Sequence, residues 1–153
     1  MSIKKLFDLH KNQDIYIVGT GPSMRVFPKD ILKNKIIIGL NQAVSMVKCN
    51  YIISIHPDLI INNSAIKNNP DVKWILPKSK TEELLDKDLY KQIHKNVFYF
   101  KRNSKRDTSK LMDPSNNDRN LDFVRKNSEF LYVWSSISQT AMNFAKNLGA
   151  KNI

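Results

Sequence analysis

"IYIVGTGPSM", residues 15–24, decides the fold: four apolar β-formers run straight into Gly-Thr-Gly-Pro-Ser. A continuous apolar run, unlike an alternating one, suits a strand covered on both faces. The chain has only four glycines, and two of them stand here one residue apart. Glycine directly after a strand removes the Cβ that would hold backbone amides away from an anion, so the stretch reads as a strand followed by a phosphate loop. It departs from the commonest phosphate templates. No lysine follows the glycines as Walker A requires, and Met24 stands where the dinucleotide fingerprint carries its third glycine. Pro28 cuts the following helix short, and Asn41 ends the next strand where that fingerprint has an acid.

Four similar runs follow: "KIIIGLN" (35–41), "YIISIHP" (51–57), "VKWILPK" (72–78) and "NVFYFKR" (96–102). Between them the spacing is helical over residues 28–32, 42–47, 58–67 and 81–95, the last with Thr81 as N-cap and acids in its first turn. Residues 3–11 read as a short amphipathic helix ahead of the first strand. Strands alternating with helices predict an α/β fold: a Rossmann-like, mostly parallel sheet with helices on both faces. The pattern stops at residues 103–120, "NSKRDTSKLMDPSNNDRN", which is too polar to pack and reads as a lid or a disordered excursion. "SSISQTAMNFAKNLGA" then reads as a capped helix, with Ser136 or Ser138 at its start and Gly149 closing it. The terminal "KNI" resembles the approach to a further strand, so the sheet is expected to be cut off after the last helix.

At 153 residues the chain is expected to be one domain, and 41% hydrophobic content is enough to fill its core. No signal-peptide pattern and no membrane-length apolar run is present, which predicts a cytoplasmic protein, peripheral to the inner membrane face if it meets a membrane at all. Cys49 is the only cysteine, so an internal disulfide and a thiolate metal cage are excluded. Net charge is +11, which would attract nucleotides, nucleic acid, anionic lipid or an acidic glycan. The basic residues are spread out apart from "KRNSKR" (101–106), and without interleaved aromatics a nucleic-acid role ranks last.

In a parallel sheet ligands bind off the carboxyl ends of the strands. Thr20, Asn41 and His56 with Pro57 end the first three strands and are expected side by side around one crevice. Amide groups there suit a ribose hydroxyl or a base edge, although Asn41 could equally be an N-cap and His56 a turn residue. Ser136 and Ser138 would add a helix N-terminus facing the same anion, or simply cap their helix. His10 and His94 fall in helical patterns and read as surface residues.

"IVGTGPSM", the strand ends "LNQA" and "IHPDL", and the Ser-rich start of "AMNFAKNLGAKNI" together resemble the bacterial lipooligosaccharide sialyltransferases. They are similar, more widely, to motility-accessory glycosyltransferases and 6-hydroxymethylpterin diphosphokinases. The resemblance implies a site for a nucleotide sugar of the CMP-sialic acid type and transfer to a cell-surface glycan. Gly19, Thr20, Gly21 and Ser23 would line the phosphate region, Asn41 would contact the nucleotide, His56 would stand where the sialyltransferases carry Asn, and Ser136 with Ser138 would fall near the phosphate. The resembled enzymes continue past "KNI" to their tyrosines and histidine, so no catalytic residue can be assigned and the chain could be an inactive fragment. No metal site and no resident cofactor are expected; magnesium and ATP enter only under the diphosphokinase alternative. A non-catalytic nucleotide-binding module is the third reading. The candidate partners are a CMP-sugar or other nucleotide sugar, a glycan acceptor, an anionic membrane surface and a second copy of the chain, the last because an unfilled sheet edge invites pairing.

Overall fold

The computed structural model describes residues 1–103, 130–132 and 136–153. Its strands are β1 (Ile15–Val18), β2 (Ile36–Leu40), β3 (Tyr51–Ile53), β4 (Lys73–Pro77), β5 (Val97–Asn103) and β6 (Phe130–Tyr132). They form one sheet in the order β1-β2-β3-β4-β5-β6, and every neighbouring pair is parallel. Val18 lies beside Gly39, and Leu40 beside Ile53, so the carboxyl ends of the first three strands are adjacent as the sequence predicts.

Helices are α1 (Pro57–Ile60), α2 (Asn63–Asn68), α3 (Lys78–Leu84), α4 (Lys87–Ile93) and α5 (Ile137–Asn147), with shorter 3₁₀ turns between β1, β2 and β3. One core layer joins Val18, Ile37, Ile52, Trp74 and Leu76 of the sheet to Leu32, Val44, Ile60, Leu85 and Ile93 of the crossovers. The other joins Ile15, Ile38, Tyr51, Ile53 and Ile75 to Ile3 and Leu6 and to Ala141, Phe144, Ala145 and Leu148 of α5. Right-handed crossovers that keep advancing in one direction must fall on one face, which explains why those joining β1 to β5 share the first layer. α5 runs back from β6 to pack on β1 and β2, and a return in the opposite direction falls on the opposite face.

The chain then arrives outside β1. Lys151 N–H donates to the Gln13 carbonyl at 2.8 Å and Ile15 N–H to the Asn152 carbonyl at 3.0 Å, so this segment runs parallel to β1. Asn152 Nδ2 fixes it by donating to Asp14 Oδ1 at 2.8 Å. β1 therefore has β2 on one side and residues 151–152 beginning a pairing on the other.

Two local expectations are corrected. Residues 81–95 do not form one helix capped by Thr81: Thr81 is buried inside α3 and its hydroxyl donates back to the Pro77 carbonyl at 2.9 Å. Asp86 is the cap, accepting from the N–H groups of Asp88 and Leu89 and starting a second helix. Residues 3–11 are helical only over Ile3–Leu6, because Asp8 and Asn12 take positive φ angles of 55° and 62° and turn the chain. The 103–120 segment lies outside the described residues except for Asn103, the last residue of β5, and so does most of the 101–106 basic cluster.

Candidate functional site

Connections leave β1 in two directions. The chain leads from β1 to β2 across one face, and α5 brings it back to the far side of β1 across the other. Such a reversal splays the connections apart at the carboxyl ends of the strands and opens the crevice where parallel sheets take ligands. Gly19, Thr20 and Gly21 leave β1 at that point.

Neither glycine is required by the fold. A Cβ built on Gly19 meets nothing within 4 Å, and one on Gly21 meets only Ser23 Oγ, at 3.8 Å. Gly21 has φ −61° and ψ 157°, a conformation open to any residue. The other two glycines are of a different kind. A Cβ on Gly39 would stand 2.5 Å from Ile52 Cδ1 and 2.6 Å from Cys49 Sγ, and Gly149 has φ +89° after the end of α5. Gly39 and Gly149 are structural; the pair after β1 leaves open space above its backbone.

The polar side chains beside that space are uncommitted. Among the described residues, Thr20, Ser23 and Asn41 make no side-chain hydrogen bond, and Thr20 and Ser23 are exposed. Asn41 does not act as an N-cap: Leu40 holds that position and no side chain caps the turn. Asn41 instead adopts the left-handed region at φ 50°, which Asn tolerates better than most residues. His56 is exposed, and its backbone is held by buried Ser54, whose hydroxyl accepts from His56 N–H at 3.0 Å and donates to its carbonyl at 3.3 Å. This Ser54 clamp sets the corner into Pro57 and escaped sequence reasoning, although Ser two residues before a turn is a known local signal.

Ser136 and Ser138 belong to the same end of the sheet but to the α5 face. The carboxyl end of α5 is tied to the segment that leads into β1, with Asp8, His10 and Asn12 N–H groups donating to Asn147, Leu148 and Gly149 carbonyls, so its amino end points toward the strands' carboxyl rim. Ser136 Oγ accepts from Ser138 N–H at 3.2 Å and caps the helix, so its hydroxyl is partly spent on structure.

A groove of about 950 Å³ lies at the opposite end of the strands beside His10, Lys48, Asn50, Tyr51, Asn69 and Lys73. Several of its polar groups are already used. Asn50 Oδ1 accepts from Ile37 N–H at 2.8 Å, Asn69 Nδ2 donates to the Val44 and Ala65 carbonyls, and Asn62 Oδ1 caps α2. His10 is not the free surface residue its sequence pattern suggests. Its Nδ1 faces Gln13 Oε1 at 3.0 Å, which places the proton there, and its Nε2 accepts from the Tyr51 hydroxyl at 2.8 Å. Burial pushes the Tyr51 hydroxyl up to about 12, so it stays a donor, and its ring meets Phe144 edge-on at 5.4 Å. His94 is exposed, bonded only to the Lys91 carbonyl through Nδ1. The groove is crossed by amides committed to backbone partners, and the rim presents the Thr20, Ser23 and Asn41 side chains without hydrogen bonds among the described residues.

Among the described residues no group of three or more His, Cys, Asp and Glu side chains gathers as a metal site would need. No helix among them is long and apolar enough to cross a membrane. No family model, curated protein or solved structure matches the chain.

Proposed function

We propose that the carboxyl rim of β1–β3 binds the phosphate of a nucleotide, and that the chain is a glycosyltransferase-like domain for a nucleotide sugar of the CMP-sialic acid type. The observation that carries this reading is the pair Gly19 and Gly21, where neither a positive φ nor close packing calls for glycine, yet which stand at the point where the connections diverge. Backbone amides bare of Cβ can approach a phosphate oxygen closely, and the Thr20 and Ser23 hydroxyls add donors beside them. The Asn41 amide, one strand over, suits a ribose hydroxyl or a base edge, with His56 beyond it. The start of α5 adds the partial positive charge of a helix N-terminus, with Ser136 and Ser138 at its first turn. In this reading the acceptor is a cell-surface glycan, and the described residues hold the donor while no general base among them is assigned.

Thermal unfolding with CMP, UDP, GDP and ATP, with and without magnesium, tests the reading. A ligand at about 100 times its dissociation constant adds roughly 2.7 kcal/mol, which raises the midpoint of a domain this size by about 5 to 10 °C. A CMP-selective, magnesium-independent rise is expected. A rise only with ATP and magnesium would transfer the site to the pterin diphosphokinase reading, and no rise with any nucleotide would contradict both.

A further inference from the structure

We infer that the excursion between β1 and β2, residues 22–35, is a docking surface for an anionic lipid bilayer. Five large apolar residues fall between positions 24 and 32, and the fold uses three of them: Met24, Phe27 and Leu32 pack on the crossover-side core. The other two point out. Val26 is 86% exposed and Ile31 57% exposed. Isolated aliphatics on a surface are ordinary. Val26 directly follows the 3₁₀ turn Pro22–Arg25 and Ile31 lies within the 3₁₀ turn Lys29–Leu32, and cations flank both along the chain.

Arg25, Lys29, Lys33 and Lys35 are all exposed, and the only acid in the stretch is Asp30, which leaves it at +3. The ion pairs among the described residues lie elsewhere, on α3 and α4, so none of these four cations is neutralised by a neighbour. Lys35 Nζ sits 5.8 Å from the centre of the Tyr16 ring, which is itself 37% exposed and adds an amphipathic aromatic to the same edge. Exposed aliphatics set among unpaired lysines on a chain of net charge +11 match a surface that is negative outside and apolar just beneath. A nucleic acid would be drawn by the cations but has no apolar layer to receive Val26 and Ile31. Docking there would bring the loop after β1 within one turn of the headgroups, because Pro22 follows Gly21 directly.

The test is co-sedimentation of the full chain with vesicles of phosphatidylcholine alone, or with about one third phosphatidylglycerol, at roughly 0.1 M salt. Each Lys or Arg near an anionic leaflet is worth about fivefold in partitioning, so Lys29→Glu with Lys33→Glu should weaken binding on the order of 25-fold or more. Val26→Ser with Ile31→Ser should weaken it about tenfold or more at unchanged charge. Lys87→Glu with Lys91→Glu on α4 makes the same change in net charge at a distance and should matter far less; circular dichroism confirms that each variant is folded. Binding only to the anionic vesicles, lost in the first two variants and kept in the third, is the expected result. The inference is overturned if the wild type ignores anionic vesicles, if the α4 variant loses as much as the loop variant, or if the aliphatic pair can be replaced without effect. The assay contains no nucleotide, so its failure leaves the phosphate reading of the rim standing.

Discussion

Replacing the glycines one at a time separates those that serve the fold from those proposed to serve a ligand. At Gly39 a new methyl would lie 2.5 Å from Ile52 Cδ1 and 2.6 Å from Cys49 Sγ, both in the core, with Ala43 Cβ at 3.2 Å on a third side. Carbon atoms pack at about 3.5 to 4.0 Å, so something must move by about 1 Å where there is no free room. Overpacking of that kind costs about 1 to 3 kcal/mol, which for a chain this long lowers the midpoint of unfolding by roughly 2 to 12 °C. At Gly19 and Gly21 the methyl enters open space on a backbone that alanine can adopt. The loss of unfolded-state freedom then stabilises by about 0.4 to 1 kcal/mol, a rise of roughly 1 to 4 °C. The same methyl would stand where a phosphate oxygen must approach. Thermal unfolding of Gly19→Ala, Gly21→Ala and Gly39→Ala, each with and without CMP, should therefore show opposite patterns: stability kept and the nucleotide shift lost in the first two, stability lost in the third. Destabilisation by Gly19→Ala or Gly21→Ala as large as that by Gly39→Ala, or a full CMP shift in both, would show that these glycines do not hold a phosphate site.

Tyr51→Phe removes the hydroxyl bonded to His10 while leaving the ring on Phe144, and should cost about 0.5 to 1.5 kcal/mol in urea unfolding without altering any nucleotide response. Backbone N–H groups of Leu89 and Asp88 hold the Asp86 carboxyl below its ordinary value of 3.8, so its contribution is full above that pH and fades as pH falls through the lowered value. Wild type and Asp86→Ala should accordingly differ in stability at neutral pH and converge in acid, as read by melting across a pH series. Burial pushes the Cys49 thiol from 9.0 up to about 12, which lowers its thiolate fraction at neutral pH on the order of a thousandfold. A disulfide reagent should modify Cys49 at least that much more slowly in the folded chain than in denaturant; rapid labelling of the native protein would contradict the packing around β2.

The strands were legible because each is covered on both faces and so reads as an unbroken apolar run; Ile36–Leu40 and Lys73–Pro77 fall inside the expected stretches. Their side-by-side placement at the rim followed from parallel pairing of consecutive strands. The helices were less legible. The Thr81–Lys95 pattern has helical spacing throughout, yet Leu85 leaves the helix to enter the core and Asp86 restarts it, a break imposed by tertiary packing. The glycines after β1 stood out in the sequence, but glycine serves turns, close packing and ligands alike, and the empty space above Gly19 removes close packing from that list. The His10–Tyr51 bond joins residues far apart in the chain, and helical periodicity around His10 says nothing of it. Ser54 was hidden for a similar reason: a small polar residue at a strand end takes its meaning from the corner it clamps.

Binding of nucleotide phosphate where β1 ends can be read residue by residue by titrating CMP into the uniformly ¹⁵N-labelled chain and following its amide resonances. Saturable shifts are expected at Gly19, Thr20, Gly21 and Asn41, with Asn50, Asn69 and Lys73 at the opposite groove unmoved. Shifts confined to the groove residues, or none at any concentration that saturates a weak site, would contradict binding there.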